Sequence, residues 1–177
     1  MANARFYSTL EKTDSGWFRN DFYINSGTLQ MQGLFEDEAC KVRNGYFLYV
    51  YPNQRVQTAS HYIHGNLDGV YVSFYQNGMM SDSGFYENGR AVGSRMSWHR
   101  NGYLSDSVSH NNDSLDTDIG FFDDGQLAHA GLLLPGKQTG KWKYYHHNGQ
   151  LSALEVYEDG KAISKSFFKE DGAALTD

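Results

Sequence analysis

Apolar and aromatic residues recur along the chain in short runs that end at turn-forming residues. The stretch from Gly140 to Gly160 reads GKWKYYHHNGQLSALEVYEDG, with turn signals at Asn148-Gly149 and Asp159-Gly160. The same layout occupies Gly69 to Gly89. Asn-Gly between two apolar runs is a strong hairpin signal, because both residues tolerate the positive φ of a tight turn. The pattern therefore predicts paired β-strands joined by short turns.

These hairpins form an internal repeat, which we align on the turn glycine. The turn position recurs at Gly27, Gln54, Gly78, Gly102, Gly125, Gly149 and Gly172. Successive spacings lie between 23 and 27 residues. A large residue, here called the core slot, lies four positions earlier, at Tyr23, Val50, Phe74, Trp98, Phe121, Tyr145 and Phe168. A second turn follows eleven residues after the first, at Gly65, Gly89, Asp113, Gly136 and Gly160. We expect the core slot and the residue two positions after the turn to share one sheet face, since side chains alternate along strands.

The repeat predicts an all-β chain, an elongated and twisted antiparallel meander of stacked β-hairpin repeats. Residues 1–16 match no repeat and are predicted to form an N-terminal cap segment. Residues 17–177 are predicted to be an array of six to seven repeats of 23–27 residues. A lone hairpin is marginally stable in water, so the copies are expected to stack and bury the core slot.

Composition supports short strands and narrows the class of function. Aromatic residues make up 15% of the chain, with 19 Gly and 2 Pro, which suits many strands and turns. No segment has the roughly 20 apolar residues of a membrane span, and the N-terminus lacks a secretory signal, so we expect a cytoplasmic protein. The net charge of −6 disfavours nucleic-acid binding and is compatible with a basic protein partner.

No constellation of catalytic or metal-binding residues is evident. His146 and His147 are adjacent, so in a strand they would point to opposite faces and not share a metal ion. Serines lie in turn-rich contexts, and the glycines are explained by turns rather than by a phosphate-binding loop. We therefore predict no catalytic residue, no metal and no cofactor, and a protein that is not an enzyme. An enzyme would need polar residues brought together from several repeats.

Two groups of residues are candidates for binding a partner. The first is an aromatic stripe one position after the core slot, formed by Tyr51, Tyr75, His99, Phe122 and His146. It is either a binding face, since aromatic residues dominate binding hot spots, or a second row that stabilises a thin sheet. The second is acidic: residues 101–136 contain six Asp and no Lys or Arg, and we single out Asp113, Asp116 and Asp118. This stretch is either a solvated loop or a patch that docks on a basic site.

The turn motif resembles the MORN-like repeat in its bacterial variant, as in the YwqK-type antitoxin and immunity family. The resemblance rests on Phe74-Tyr75-Gln76-Asn77-Gly78-Met79-Met80 and on Tyr145-His146-His147-Asn148-Gly149-Gln150-Leu151, and it covers about residues 17–175. It implies an immunity protein that binds and neutralises a cognate bacterial polymorphic toxin, which we expect to be basic and directed at nucleic acid. The alternative, implied by eukaryotic MORN proteins, is a scaffold or a membrane-surface binding protein.

Overall fold

In a computed structural model, which describes residues 5–110 and 115–175, the chain is all-β. The described residues form fifteen strands and no helix. The strands are β1 Phe6–Thr13, β2 Gly16–Tyr23, β3 Leu29–Phe35, β4 Arg43–Val50, β5 Val56–Ile63, β6 Asn66–Phe74, β7 Met80–Glu87, β8 Arg90–Trp98, β9 Leu104–His110, β10 Asp116–Phe121, β11 Leu127–Leu134, β12 Lys137–Tyr145, β13 Leu151–Glu158, β14 Lys161–Phe168 and β15 Ala174–Leu175. Their order in the sheet is their order in the sequence. The predicted antiparallel meander is confirmed.

The chain divides into two compact units, Met1–Ala91 and Val92–Asp177. Within each unit, the core slot pairs across its hairpin with the residue two positions after the turn, as expected. Examples are Phe74 with Met80 in the first unit, and Tyr145 with Leu151 in the second. Each pair sits at a register shift beside the turn, and the core-slot side chains there are half-buried.

The Asn-Gly turns differ from the expected two-residue type. The Tyr75 N–H donates to the Met79 carbonyl at 2.8 Å, and the Gly78 N–H donates to the Tyr75 carbonyl at 2.8 Å. Only Gly78 has a positive φ, of 90°, so the expectation that Asn77 also takes one is wrong. Asn77 instead accepts a hydrogen bond from the Met79 N–H at 3.0 Å through its Oδ1. This is a three-residue loop whose last residue lies in the left-handed region.

The second turn of the repeat is the one that has the tight two-residue form. At Asn88-Gly89 the φ values are 50° and 80°, and at Asp159-Gly160 they are 49° and 77°. A left-handed pair of this kind matches the twist of the two flanking strands. Asn and Asp tolerate the left-handed region better than other side chains, which accounts for their presence at these turns.

The first repeat contains one extra residue, and this changes the assignment of its core slot. The Gly27 N–H donates to the Tyr23 carbonyl, and the Tyr23 N–H donates to the Thr28 carbonyl, so the loop is one residue longer than the others. Phe22 pairs with Leu29 at the register shift and is the true core-slot residue. The assignment of Tyr23 to that slot is wrong, because the extra residue lies inside the turn.

The deepest burial comes from aromatic rings that lie over glycines of a neighbouring strand. In the first unit, Phe47 of β4 is 1% exposed and covers Gly33 of β3, with Met31 and Phe35 completing a small core. In the second unit, the Trp142 ring is 2% exposed and covers Gly131 of β11. A Cβ atom on either glycine would overlap the ring. The absence of a side chain on glycine therefore leaves the space in which the ring of the neighbouring strand packs.

The turn asparagines also join successive hairpins. In the first unit, Asn53 Nδ2 donates to the Gln76 carbonyl at 2.9 Å. In the second, Asn148 Nδ2 donates to the Glu170 carbonyl at 2.8 Å, while Asn148 Oδ1 accepts from the Gln150 N–H at 3.0 Å. One carboxamide thus closes its own turn and bonds the next one, which explains why asparagine recurs at this position.

Replacing Gly131 with alanine tests the packing of a ring on glycine. The methyl group would occupy the space of the Trp142 ring, so we expect the free energy of unfolding to fall by about 1–3 kcal/mol, measured by urea denaturation. In a Trp142→Ala background the same change should cost little, because the overlap is gone. Equal costs in both backgrounds would show that the ring is not what constrains this glycine.

Two substitutions at Asn148 separate its two hydrogen bonds. Asn148→Asp keeps the oxygen that closes the turn but loses the donor to the Glu170 carbonyl, so we expect a loss of about 1–2 kcal/mol in unfolding free energy. Asn148→Ala removes both bonds and serves as the reference. An Asp variant as stable as the wild type, beside a destabilised Ala variant, would mean that the link between hairpins contributes nothing.

Candidate functional site

Strand register brings acidic and aromatic side chains of the second unit to one face of its sheet. Gly120 of β10 pairs with Asp106 of β9 and with His129 of β11, and paired residues share a face. The same register places Asp118 beside Gly131 and Trp142 beside Glu155. We call this the acid–aromatic face, formed by Asp106, Asp116, Asp118, His129, Trp142, Tyr144, Glu155 and Tyr157.

Three side chains from three adjacent strands meet on this face, and we call them the Asp–Asp–His cluster. His129 Nε2 lies 3.4 Å from Asp118 Oδ1 and 3.7 Å from Asp106 Oδ2. One ligand atom from each of Asp106, Asp118 and His129 can be chosen so that all lie within 4.8 Å of one another. Asp118 Oδ1 is buried and has no hydrogen-bond partner among the described residues. The cluster is thus close-packed, and the distances from His129 Nε2 to the two carboxylates are longer than those of ordinary hydrogen bonds.

The cluster shifts the protonation equilibria of its members. Burial raises the pKa of Asp106 to about 6, and the nearby Asp118 carboxylate acts in the same direction. The polar contact with the Asp118 carboxylate raises the pKa of His129, against the lowering effect of burial. A proton is therefore retained at this cluster to higher pH than at an isolated aspartate, as happens when like charges are held close together.

The imidazole of His129 is held in place by its neighbours. Its ring covers Gly120, where a Cβ atom would overlap it. It also stacks on Trp142 with ring centroids 5.8 Å apart and an interplanar angle of 22°. The Trp142 indole N–H in turn donates to the Leu132 carbonyl at 3.0 Å. This packing fixes the edge of the imidazole that faces the two carboxylates.

Glu155 forms a second ionic centre on the same face. Its side chain is 9% exposed, and its Oε1 lies 3.0 Å from the ammonium group of Lys165. The Tyr157 hydroxyl donates to Glu155 Oε2, and this bond lowers the pKa of Glu155, assisted by Lys165. The same bond raises the pKa of Tyr157. Glu155 is therefore an ionised, fully partnered carboxylate in the folded protein.

The predicted aromatic stripe lies at the hairpin ends, and all five members are half-buried. Three of them bond to the next hairpin through a polar ring atom or hydroxyl. The Tyr51 hydroxyl donates to the Phe74 carbonyl at 2.9 Å, and the Nε2 atoms of His99 and His146 lie 2.8 Å from the Phe121 and Phe168 carbonyls. The Tyr23 hydroxyl makes the matching bond to the Val50 carbonyl at 2.8 Å. The stripe therefore joins hairpins, and its role in partner binding stays a prediction.

Two further members of the stripe have different surroundings. Phe122 stacks on His147, with ring centroids 3.8 Å apart and an interplanar angle of 22°. Tyr75 is half-buried and makes contacts of its own. Neither ring is fully open to solvent.

The predicted acidic residues are partly brought together. Asp116 and Asp118 are two positions apart on β10 and share the acid–aromatic face, and Asp116 Oδ2 lies 2.9 Å from His110 Nδ1. Asp113 lies outside the described residues. Sequence reasoning missed the contribution of His129. A signal was present in the slot four residues after the turn position, which holds Asp82, Asp106 and His129 in three consecutive copies.

The chain matches no protein-family model and no curated protein with which it was compared. The resemblance to MORN-like repeats therefore stays a prediction. Among residues 5–110 and 115–175, no helix has the length and hydrophobicity needed to cross a bilayer.

Glu155→Gln tests the ionic centre through its pH dependence. A lowered folded-state pKa stabilises the protein above the unfolded-state value of 4.5 and loses that effect as pH falls through the folded value. The wild type should therefore exceed the variant in stability most clearly at pH 6–7, and the difference should shrink below about pH 4.5. Urea midpoints at pH 7 and pH 3.5 measure it. A difference that does not change with pH would contradict the assignment.

Proposed function

We propose that the protein is a non-enzymatic, protein-binding repeat protein whose acid–aromatic face receives a basic region of a partner. The observation that carries this proposal is the gathering of carboxylates on one face of the second unit. Asp106, Asp118 and Glu155 share that face by register, and its Lys165 is already paired with Glu155. Lys141 and Lys143 pair with Val156 and Leu154 and occupy the other face.

This arrangement suits a partner that presents lysine or arginine. Asp106 and Asp118 are 34% and 16% exposed, so a guanidinium or ammonium group can reach them. Hydrogen bonds between ionised partners are stronger than neutral ones, and complementary charge raises the rate of association. The half-buried Tyr144 and Tyr157 flank Trp142 and add the aromatic surface that is enriched in binding hot spots.

The resemblance to YwqK-type proteins supports a more specific proposal for the partner. On this proposal the protein acts in the cytoplasm as an immunity protein, and its partner is a cognate polymorphic toxin with a basic active site. The acidic face would cover that site and keep substrate out. Such inhibition requires binding alone, and no residue of this chain needs to react.

The test is binding to, and protection against, a polymorphic toxin encoded beside this chain. We expect a complex in purified form, weakening with salt, because charge pairs are screened. The double variant Asp116→Asn with Asp118→Asn should bind at least tenfold more weakly, which is about 1.4 kcal/mol. The matched control is Lys141→Gln with Lys143→Gln, which removes two charges from the opposite face and should bind like the wild type.

Two outcomes would contradict the proposal. Growth protection that survives loss of binding would exclude inhibition by direct contact. A complex that depends on the two lysines and not on the aspartates would place the interface on the other face. Circular dichroism spectra of all variants verify that each one retains the β-sheet fold before binding is compared.

A further inference from the structure

We infer that Asp106, Asp118 and His129 form a binding site for one divalent transition-metal ion, and that Zn²⁺ is the ion it fits best. The sequence predicted no metal because adjacent histidines cannot share one. The site instead draws one ligand from each of the strands β9, β10 and β11. Two carboxylates and one imidazole are all groups that zinc accepts, and sites with three protein ligands leave a fourth position for water.

The distances between the ligand atoms fit coordination better than hydrogen bonding. His129 Nε2 is 3.4 Å from Asp118 Oδ1 and 3.7 Å from Asp106 Oδ2, whereas hydrogen bonds to nitrogen cluster at about 2.9–3.0 Å. Zinc bonds of about 2.0–2.2 Å to nitrogen and oxygen imply neighbouring ligand atoms roughly 3.3–3.6 Å apart in a tetrahedron. The observed distances lie at or close to this range.

A second histidine–aspartate pair in the same unit provides the contrast. His110 Nδ1 lies 2.9 Å from Asp116 Oδ2, which is an ordinary hydrogen bond. That pair joins β9 to β10, two of the three strands that build the cluster. A histidine and an aspartate on neighbouring strands of this unit can therefore approach to hydrogen-bond distance, whereas His129 on β11 stays farther from both carboxylates.

The buried oxygen of Asp118 points to the same place as these distances. Asp118 Oδ1 is buried and makes no well-formed hydrogen bond with the described residues, its nearest polar neighbour there being His129 Nε2 at 3.4 Å. A buried carboxylate oxygen without a well-formed hydrogen bond is costly in folded proteins. It also lies on the side of Asp118 that faces His129. A metal ion between these atoms would satisfy the oxygen and use the imidazole nitrogen at the same time.

The surroundings hold the ligands ready for an ion. The His129 ring is fixed between Gly120 and Trp142, so its Nε2 edge stays directed at the carboxylates. Fixed ligands lose little freedom on binding, and such supporting contacts strengthen metal affinity.

Zinc titration by calorimetry on the intact chain, stripped of metal with a chelator, tests this inference without any partner protein. We expect one equivalent of Zn²⁺ to bind, and Mg²⁺ to bind far more weakly, because imidazole is a poor ligand for magnesium. Asp118→Asn and His129→Gln should each weaken zinc binding at least tenfold. His110→Gln, which alters the neighbouring pair and leaves the cluster intact, should bind zinc like the wild type.

A second measurement guards against variants that fold poorly. Zn²⁺ should raise the thermal unfolding temperature of the wild type and of His110→Gln, and not that of a folded Asp106→Asn variant. Absence of zinc binding to the wild type at 100-fold excess would overturn the inference. So would binding that all three cluster variants retain at wild-type strength, since the ion would then lie elsewhere on the chain.

Discussion

Aromatic rings that lie over glycines of the neighbouring strand give this sheet its deepest burial. The described residues contain no helix that could pack on the sheet, so its side chains must cover its own backbone. Phe47 over Gly33 and Trp142 over Gly131 meet this need, because only glycine leaves room for a ring to sit so low. His129 over Gly120 is a polar version of the same arrangement. At the candidate site, the imidazole of His129 thus takes the place that an apolar aromatic ring has elsewhere, and it also packs over a glycine.

Contacts between successive hairpins depend on side-chain groups that reach backbone carbonyls. Tyr51, His99 and His146 use their ring tips for this purpose, and Asn53 and Asn148 use their carboxamides. A hairpin alone buries too little apolar surface to be stable, so these bonds add specificity to the pairing of strands. They also explain why polar aromatic residues recur beside the turns. The role of these side chains is structural. The side chains proposed to bind a partner or a metal ion lie instead on the acid–aromatic face.

The period, the turn positions and the pairing of the core slot could be predicted from the sequence because each is local. The core-slot residue of the first copy could not be predicted, since the spacing between repeats does not reveal whether an extra residue lies in a turn or in a strand. The φ angle of Asn77 could not be predicted either. The Asn77 side chain accepts a hydrogen bond that closes the turn, and its backbone stays out of the left-handed region. The Asp–Asp–His cluster was missed for a different reason. Asp106 and His129 follow their turns by four residues, whereas Asp118 precedes the core slot by three, and only the register brings these offsets together.

The longer loop of the first repeat has a practical consequence. Its extra residue is absorbed between Tyr23 and Thr28, and the register of β2 with β3 continues on the expected faces. The same insertion within a strand would turn every following side chain to the opposite face. The four loop residues, 24–27, are all exposed. Foreign peptides or fluorescent labels grafted at this loop should therefore leave the sheet undisturbed, which makes the protein a scaffold for display.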